Sequence, residues 1–225
     1  MANEDDAGYE TLAGPGEARF EIRGSEFVGR ARPARTVADA EAFVESVRER
    51  FADATHNVPC YRVRVESGGP RGDGRESDAR GTGRSHGGYM LREYQSDDGE
   101  PTGSSGKPAL NVLQQRDVEN AVVVVTRYFG GTELGVGGLA RAYSRAVKEA
   151  VDDAGVVTER PKARFGATVD YDDSGTVRGI LESADCEFEA AYEERVAFDV
   201  TCDRAGAEAL RERLLSATSG RVELE

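Results

Sequence analysis

The sequence contains no tryptophan, only three cysteines and only two histidines. Cys60, Cys186 and Cys202 are widely spaced and form no CxxC pair, a pattern that supports neither a disulfide framework nor a zinc ribbon. His56 lies four residues before Cys60, but a metal site needs more ligands and a thiol nucleophile needs a positioned base. We therefore expect reduced thiols, no metal site and no cofactor.

Long apolar runs are absent as well. No stretch approaches the roughly 18 apolar residues that indicate a membrane-spanning helix. The N-terminal segment MANEDDAG is acidic and polar, unlike a signal peptide. The sequence therefore predicts a soluble protein of the cytoplasm that does not bind a membrane.

Lysine is scarce, and this scarcity changes the meaning of the charge. Lysine occurs only at positions 107, 148 and 162, so 26 of the 29 basic residues are arginines, against 42 acidic residues and a net charge of −13. Abundant Asp and Glu with almost no lysine is expected of a protein that stays soluble at very high salt, where the Debye length falls to about 3 Å. We interpret the acidity as halophilic solvation rather than as a binding surface.

The hydrophobic pattern predicts two domains. Residues 1–16 are acidic and then broken by glycine and proline, and we expect them to be flexible. Residues 17–158 combine strand-like alternation with helical periodicity around a valine-rich run, 121–128, that predicts a buried strand. Within them, segment 66–88 is rich in Gly, Ser, Arg and Asp and predicts a disordered insertion. Residues 162–225 show the βαββαβ order of ferredoxin-like domains.

Two nucleotide-binding motifs are matched only in part. Segment 103–107 (GSSGK) resembles a P-loop, but prolines 101 and 108 stand where that motif needs a glycine and a hydroxyl residue. Segment 135–140 (GVGGLA) fits the dinucleotide pattern GxGxxA, yet residues 127–135 separate it from the preceding strand, where that fold needs a tight turn. Neither motif is retained.

The remaining signal is a local excess of positive charge. Residues 101–148 hold six basic and three acidic side chains within an acidic chain. Helices predicted to begin at Lys107-Pro108 and at Gly137-Gly138 present free N–H groups, which attract anions. Unless the bases pair with nearby acids, this sign reversal predicts phosphate contacts. The predicted anion- or nucleic-acid-binding residues are Lys107, Arg127, Gly137, Gly138, Arg141 and Arg145.

Aromatic and acidic side chains accompany these bases. Tyr128, Phe129 and Tyr143 could stack on bases, although core packing is the commoner role of such residues. Asp97, Asp98 and Glu100 form an acidic turn in front of the first glycine-rich segment. Such carboxylates either shape a turn or hold a divalent ion, and we favour the turn.

Three segments together resemble the IMPACT/YigZ family, namely DDGEPTGSSGKP at 97–108, RYFGG at 127–131 and LGVGGLARAY at 134–143. Weaker similarity extends through GSEFV at 24–28 and DATH at 53–56, and downstream into the C-terminal domain. Motifs of this length and spacing are highly specific. With its acidic, lysine-poor composition, the chain resembles a haloarchaeal-type member, although the insertion departs from the family pattern.

The resemblance implies an α+β protein of two domains. The first is an α/β domain of the ribosomal-protein type that also forms the fourth domain of elongation factor G, and the second is ferredoxin-like, similar to that factor's fifth domain. Eukaryotic relatives regulate translation but carry a different extra domain, so their partner does not transfer. The resemblance implies an association with translation and a surface suited to RNA or ribosome, and it assigns no catalytic residue.

Two functions from different classes remain open. The first is a non-enzymatic, translation-associated regulator that binds RNA or the ribosome, with a translation-factor protein as a further candidate partner. The alternative is an enzyme for a small molecule or phosphate ester, in which the acidic turn holds a metal and Gly137–Gly138 hold the anion. We favour the first. Geometry distinguishes them, because the alternative requires the three carboxylates within metal-bridging reach of the glycine turn.

Overall fold

The computed structural model describes residues 8–66, 85–86 and 89–225. Most of these residues belong to an N-terminal unit, Tyr9–Glu159, or a C-terminal unit, Arg160–Glu225. The N-terminal unit contains β1 (Tyr9–Leu12), β2 (Gly16–Ile22), β3 (Ser25–Pro33), α1 (Val37–Arg50), β4 (His56–Glu66), β5 (Ser85–His86), β6 (Tyr89–Gln95), α2 (Gly106–Gln115), β7 (Ala121–Tyr128), α3 (Gly135–Ala154) and β8 (Val156–Glu159). The C-terminal unit contains β9 (Lys162–Val169), α4 (Tyr171–Ser183), β10 (Glu187–Tyr192), β11 (Val196–Asp203), α5 (Arg204–Ala217) and β12 (Glu223–Leu224).

The valine-rich run forms β7, as predicted, inside an antiparallel six-stranded sheet. The strand order is β2-β3-β7-β4-β6-β5. Because side chains alternate across a strand, Val123 and Val125 pack against α2 and α3 on one face, and Val122 and Val124 pack against α1 on the other. Residues 121–125 of this strand are all apolar because helices cover both of its faces.

Two glycines allow α3 to lie close to β2 and β3. A Cβ on Gly29 would lie 2.5 Å from the backbone oxygen of Ala146, and a Cβ on Gly16 would collide with the backbone at Ala150. Ala146 and Ala150 are themselves fully buried. The helix therefore packs with its backbone directly on the sheet, and this contact fixes where its N-terminal end lies.

The segment expected to be flexible, 1–16, includes regular structure. Residues 9–12 form β1, which pairs with β8 from Tyr9 opposite Glu159 to Leu12 opposite Val156, and β2 begins at residue 16. The partner strand lies at the far end of the unit's sequence, so no local pattern indicates the pairing. Residues 1–7 lie outside the described residues.

The predicted insertion, 66–88, lies largely outside the described residues, which include only Glu66, Ser85 and His86 of it. Glu66 is the last residue of β4, and Ser85–His86 form β5 at the edge of the sheet, opposite β6. At both ends, strand pairing therefore extends further than the composition predicted.

The C-terminal unit confirms the predicted βαββαβ order. Its strands form an antiparallel sheet in the order β10-β11-β9-β12, which is the ferredoxin-like arrangement. Helices α4 and α5 pack on this sheet around a core that includes Phe165, Leu181, Phe198 and Leu214. The protein is thus a two-domain α+β fold. No helix in the described ranges has both the length and the apolar content needed to cross a membrane.

Candidate functional site

A buried ion pair joins the loop after β6 to the end of β7. The side chains of Glu100 and Arg127 are 2% and 5% exposed, and Arg127 Nη1 donates to Glu100 Oε1 at 2.6 Å. The Tyr143 hydroxyl donates to the same oxygen at 2.8 Å, and Arg127 Nη2 donates to Ser25 Oγ at 3.3 Å. A buried carboxylate requires such partners, so this cluster ties together a loop, two strands and α3.

Tyr143 acts in this cluster as a hydrogen-bond donor. It is fully buried, and its ring meets that of Phe27 edge-on, with 5.4 Å between centroids. Burial, together with the neighbouring Glu100 carboxylate, raises the pKa of Tyr143 far above its ordinary value. The phenol therefore stays protonated and supports Glu100 rather than acting as a base.

His56, at the start of β4, reaches the same carboxylate. Its Nδ1 lies 2.7 Å from the carbonyl oxygen of Asp98, where Nδ1–H donates, and its Nε2 lies 3.8 Å from Glu100 Oε1. The bond at Nδ1 fixes the orientation of the imidazole. The weakly similar segment 53–56 thus contributes to the same cluster as the stronger motifs.

Asp97 holds the start of α2. Its carboxylate accepts the backbone N–H groups of Gly103 (2.7 Å), Ser105 (3.1 Å) and Gly106 (2.8 Å), and the Ser105 hydroxyl at 2.7 Å. Partial burial raises the pKa of Asp97, but these hydrogen bonds together lower it further, and the result lies below the usual range. At this helix end, Asp97 therefore already acts as the anion for the N–H groups of Ser105 and Gly106.

Asp98 also binds groups of its own chain. Its Oδ2 accepts the backbone N–H of Asn57 at 2.6 Å, and its Oδ1 accepts from Arg48 at 3.3 Å. Its φ of +47° lies in the left-handed region that aspartate tolerates at turns. In the part of the chain that the structure describes, no group of three or more His, Cys, Asp or Glu side chains is placed to hold a metal ion. The carboxylates of the acidic turn thus bind groups of this chain, and we call Asp97, Asp98 and Glu100 the clamp.

The loop after β7 is fastened at its base. The backbone N–H of Phe129 donates to Thr55 Oγ1 at 2.9 Å, and that of Gly130 donates to Ser25 Oγ at 3.2 Å. Gly130 packs directly on Gly24 and leaves no room for a Cβ. Gly24 in turn has a φ of +79°, which glycine adopts without strain. We use the name glycine loop for residues 129–137, which are the loop itself and the first residues of α3.

Two large apolar side chains of the glycine loop face solvent. Phe129 is 48% exposed and Val136 is 59% exposed. The sequence grouped Phe129 with Tyr143 as aromatic residues whose commoner role is core packing. The structure separates them, because Tyr143 is buried and Phe129 is not. The glycines that follow Phe129 are the local signal for this difference.

The structure divides the predicted binding residues into two groups. Arg127 is buried against Glu100 and has a structural role there. The sequence could not show this, because the pairing joins a loop to a distant strand. The roles of Ser25, Thr55 and His56 were also missed. The residues that remain at the surface are Lys107, Gly137, Arg141 and Arg145, with Gly138 half-buried.

A row of cations lies along one face of α3. Arg141, Arg145 and Lys148 are exposed, and their spacing of four and three residues places them on the same side of the helix. We call these three residues the cationic row. Arg145 Nε lies 2.7 Å from Glu149 Oε1, and Arg145 Cζ lies 4.1 Å from the centroid of the Phe20 ring. Arg141 and Lys148 form no ion pair with any residue that the structure describes.

The N-terminal end of α3 adds to this positive surface. Its N-cap residue, Leu134, forms no side-chain cap, and the first turn contains no acidic residue. The first N–H groups of a helix carry partial positive charge when no side chain accepts them. We call the helix start and the cationic row together the positive region. Its acidic neighbours are Glu133, just before the helix, and Glu149, which pairs with Arg145.

Comparison with protein families covers both units. The family model described as the Impact N-terminal domain matches residues 23–151, and that of a domain of unknown function (DUF1949) matches residues 168–221. The first match alone spans more than half of the chain. It includes every residue of the clamp, the glycine loop and the cationic row.

Known relatives match along much of the chain. The IMPACT family member YvyE of Bacillus subtilis is 30% identical over 218 residues, which are 96% of this chain and 90% of the relative. The IMPACT family member YigZ of Escherichia coli is 31% identical over 165 residues, which are 73% of this chain and 71% of the relative. A crystal structure of a hypothetical protein matches with a TM-score of 0.61 at 27% identity, covering 97% of this chain and 96% of that chain. Both units therefore have counterparts within single known chains.

Proposed function

The chain belongs to the IMPACT family, and we propose that it is a non-enzymatic, translation-associated regulator that binds RNA or the ribosome through the positive region on α3. Translation is the process to which the family resemblance points. The proposal places the protein in the cytoplasm, where ribosomes are. A translation-factor protein is a further candidate partner for the same surface.

The observation that carries this proposal is positive charge left unpaired at the surface. Within 101–148, the exposed charged side chains without an ion pair to any described residue are Lys107, Arg141 and Lys148, against the single acid Glu133. This excess lies in a chain of net charge −13. It is the arrangement expected for phosphate contacts. The stretch's other charges are taken up by the pairs Arg116–Asp152, Arg127–Glu100, Arg145–Glu149, Arg62–Asp117 and Arg64–Glu119.

The alternative enzyme has no observation in its favour. Each of its three metal-holding candidates, Asp97, Asp98 and Glu100, is engaged by backbone N–H groups or by an arginine of this chain. These contacts stabilise two loops. Among the described residues, no group of three or more His, Cys, Asp or Glu side chains is placed to hold the metal that this alternative requires.

Charge reversal on α3 tests the proposal. We expect the double variant R141E/R145E to bind purified ribosomal subunits and RNA more weakly, and the slope of log affinity against log salt to fall by at least about one, for the unpaired Arg141, because Arg145 is already paired with Glu149. The measurement is a binding titration at several KCl concentrations.

The matched control is R204E/R213E. It makes the same change in net charge at two exposed residues of α5 that form no ion pair with described residues. Weak binding by R141E/R145E alone supports the cationic row. Equal affinities for the wild type and both variants would contradict it.

A further inference from the structure

We propose that Phe129 is a stacking platform for an unpaired base of single-stranded RNA. This inference rests on the binding function proposed above and specifies its ligand. The ring of Phe129 is exposed, its backbone is fixed, a cation contacts it, and basic residues lie in the neighbouring segments.

Phe129 is exposed although its backbone is fixed. The N–H groups of Phe129 and Gly130 are held by Thr55 and Ser25 at 2.9 and 3.2 Å, and Gly130 is packed on Gly24. The ring is nevertheless 48% exposed. A large apolar side chain on a fixed loop loses little conformational entropy when a ligand covers it, so the position suits recognition.

A buried cation contacts this ring. The Cζ atom of Arg127 lies 5.4 Å from the centroid of Phe129 and 5.4 Å from that of the buried Phe27. Its guanidinium is held by Glu100 at 2.6 Å and Ser25 at 3.3 Å. A guanidinium near an aromatic ring attracts its π electrons. The guanidinium thereby draws electron density away from the exposed face of the ring. This favours stacking of an electron-rich partner, such as a nucleobase.

The surrounding charge favours a polyanion over an apolar protein segment. The glycine loop leads from Phe129 directly into the N-terminal end of α3, where no side chain caps the helix. Arg141 follows in the second turn of the helix. Lys107 lies at the start of α2, after the loop that contains Glu100, the partner of Arg127. The acids beside them include Glu133, in the loop, and Asp53, which accepts from the Tyr128 hydroxyl at 3.3 Å. Glu26 lies opposite Tyr128 in the sheet and pairs with Arg19. An aromatic platform beside cations fits an RNA strand with bases free to stack.

Stacking also suits the concentrated salt in which the composition predicts that this protein is soluble. Phosphate contacts lose their driving force as salt rises, because counterion release becomes less favourable. Stacking depends far less on salt. An exposed ring would therefore supply affinity in concentrated salt, where the cationic row alone supplies little.

Substitution of Phe129 tests this inference. We expect F129A to lower the affinity for a labelled oligouridylate or oligoadenylate of about twelve nucleotides by roughly tenfold to a hundredfold, since stacking on an aromatic side chain contributes this much per base. F129Y keeps an aromatic face and retains the affinity. V157A is the control, because it removes an exposed apolar side chain from β8, outside the glycine loop and the positive region on α3. The readout is fluorescence anisotropy, with an RNA duplex of equal length as the second ligand.

The outcomes separate the two proposals. Loss of single-strand binding by F129A, with duplex binding unchanged, supports the platform. If the wild type binds single strand and duplex equally, and only R141E/R145E weakens both, the platform is overturned while the proposed function stands. If F129A binds RNA normally but loses ribosomal subunits, the ring contacts a protein and the platform is again overturned. If the wild type binds neither RNA nor ribosomal subunits, both proposals fail.

Discussion

At the scale of single residues, the most specific motif side chains face inwards. Glu100 binds Arg127 and Tyr143, and Asp97 binds the start of α2. Sequence reasoning predicted a ligand contact for Arg127 and favoured a turn over a metal site for the acidic residues. Polar and charged residues in such a motif equally serve to fix loops, since a buried charge is stable only with hydrogen-bonded partners. Only the structure shows which role each residue has.

Removal of the Glu100 charge tests the clamp. In E100Q, Arg127 stays buried without a carboxylate, and we expect the N-terminal unit to lose about 3–5 kcal/mol of unfolding free energy. The exposed E133Q is the control and should change stability by less than about 0.5 kcal/mol. Urea denaturation followed by circular dichroism measures both. A loss below about 1 kcal/mol in E100Q would show that the pair is not needed.

The thiols provide a pH-dependent test. Burial, with a smaller effect from the adjacent Cys202, raises the pKa of Cys186 to about 11, and burial raises the pKa of the fully buried Cys60 to about 12. Because the thiolate is the reactive form, alkylation of Cys186 by iodoacetamide should accelerate about tenfold per pH unit between about pH 8 and pH 10. Mass spectrometry of the wild type and C186S follows the modification. A rate independent of pH would disprove the raised pKa.

At the scale of elements, the hydrophobic pattern predicted those helices and strands whose spacing is set by burial. The valines of β7 and the periodicity of α1 and α3 were readable because burial imposes those spacings. The predicted start of α3 near Gly138 was late by one turn, since the helix begins at Gly135 without a side-chain cap. Strands β1 and β8 were missed because each is stabilised by a partner distant in sequence. The site was readable as a set of motifs but not as contacts, for the same reason.

Glycine at the contact between α3 and the sheet is an element-scale requirement. We expect G29A to lower the unfolding free energy by about 1–3 kcal/mol or more, because its Cβ meets the backbone of Ala146 and not a flexible side chain. G14A is the matched control, since a Cβ there meets nothing within 4 Å and its φ is not positive. Equal stability of the two variants in urea denaturation would contradict the close packing of α3.

At the scale of the whole molecule, the charge of one surface is opposite in sign to the net charge of the chain. The chain is strongly acidic, yet the surface beside the glycine loop carries unpaired bases. Composition alone suggested solvation in high salt, and that remains a prediction. The fold class followed from element order, while the position of the proposed binding surface required the pairing of charges in three dimensions.

Salt should stabilise the protein if its acidity is adapted to high salt. With a net charge of −13, self-repulsion is large in dilute buffer and is screened by added KCl. We expect the thermal midpoint to rise by about 5 °C or more between roughly 0.1 M and 2 M KCl. The rise should shrink near pH 4, where many carboxylates are protonated. Calorimetry that shows an unchanged or falling midpoint at neutral pH would refute the halophilic interpretation.

The most direct test of the central claim is sedimentation of the tagged protein through a sucrose gradient of cell lysate at native salt, with and without ribonuclease. The account predicts co-migration with a ribosomal subunit or an RNA-containing particle, and loss of that co-migration in R141E/R145E but not in R204E/R213E. Migration of the wild type as a free small protein under all of these conditions would contradict it.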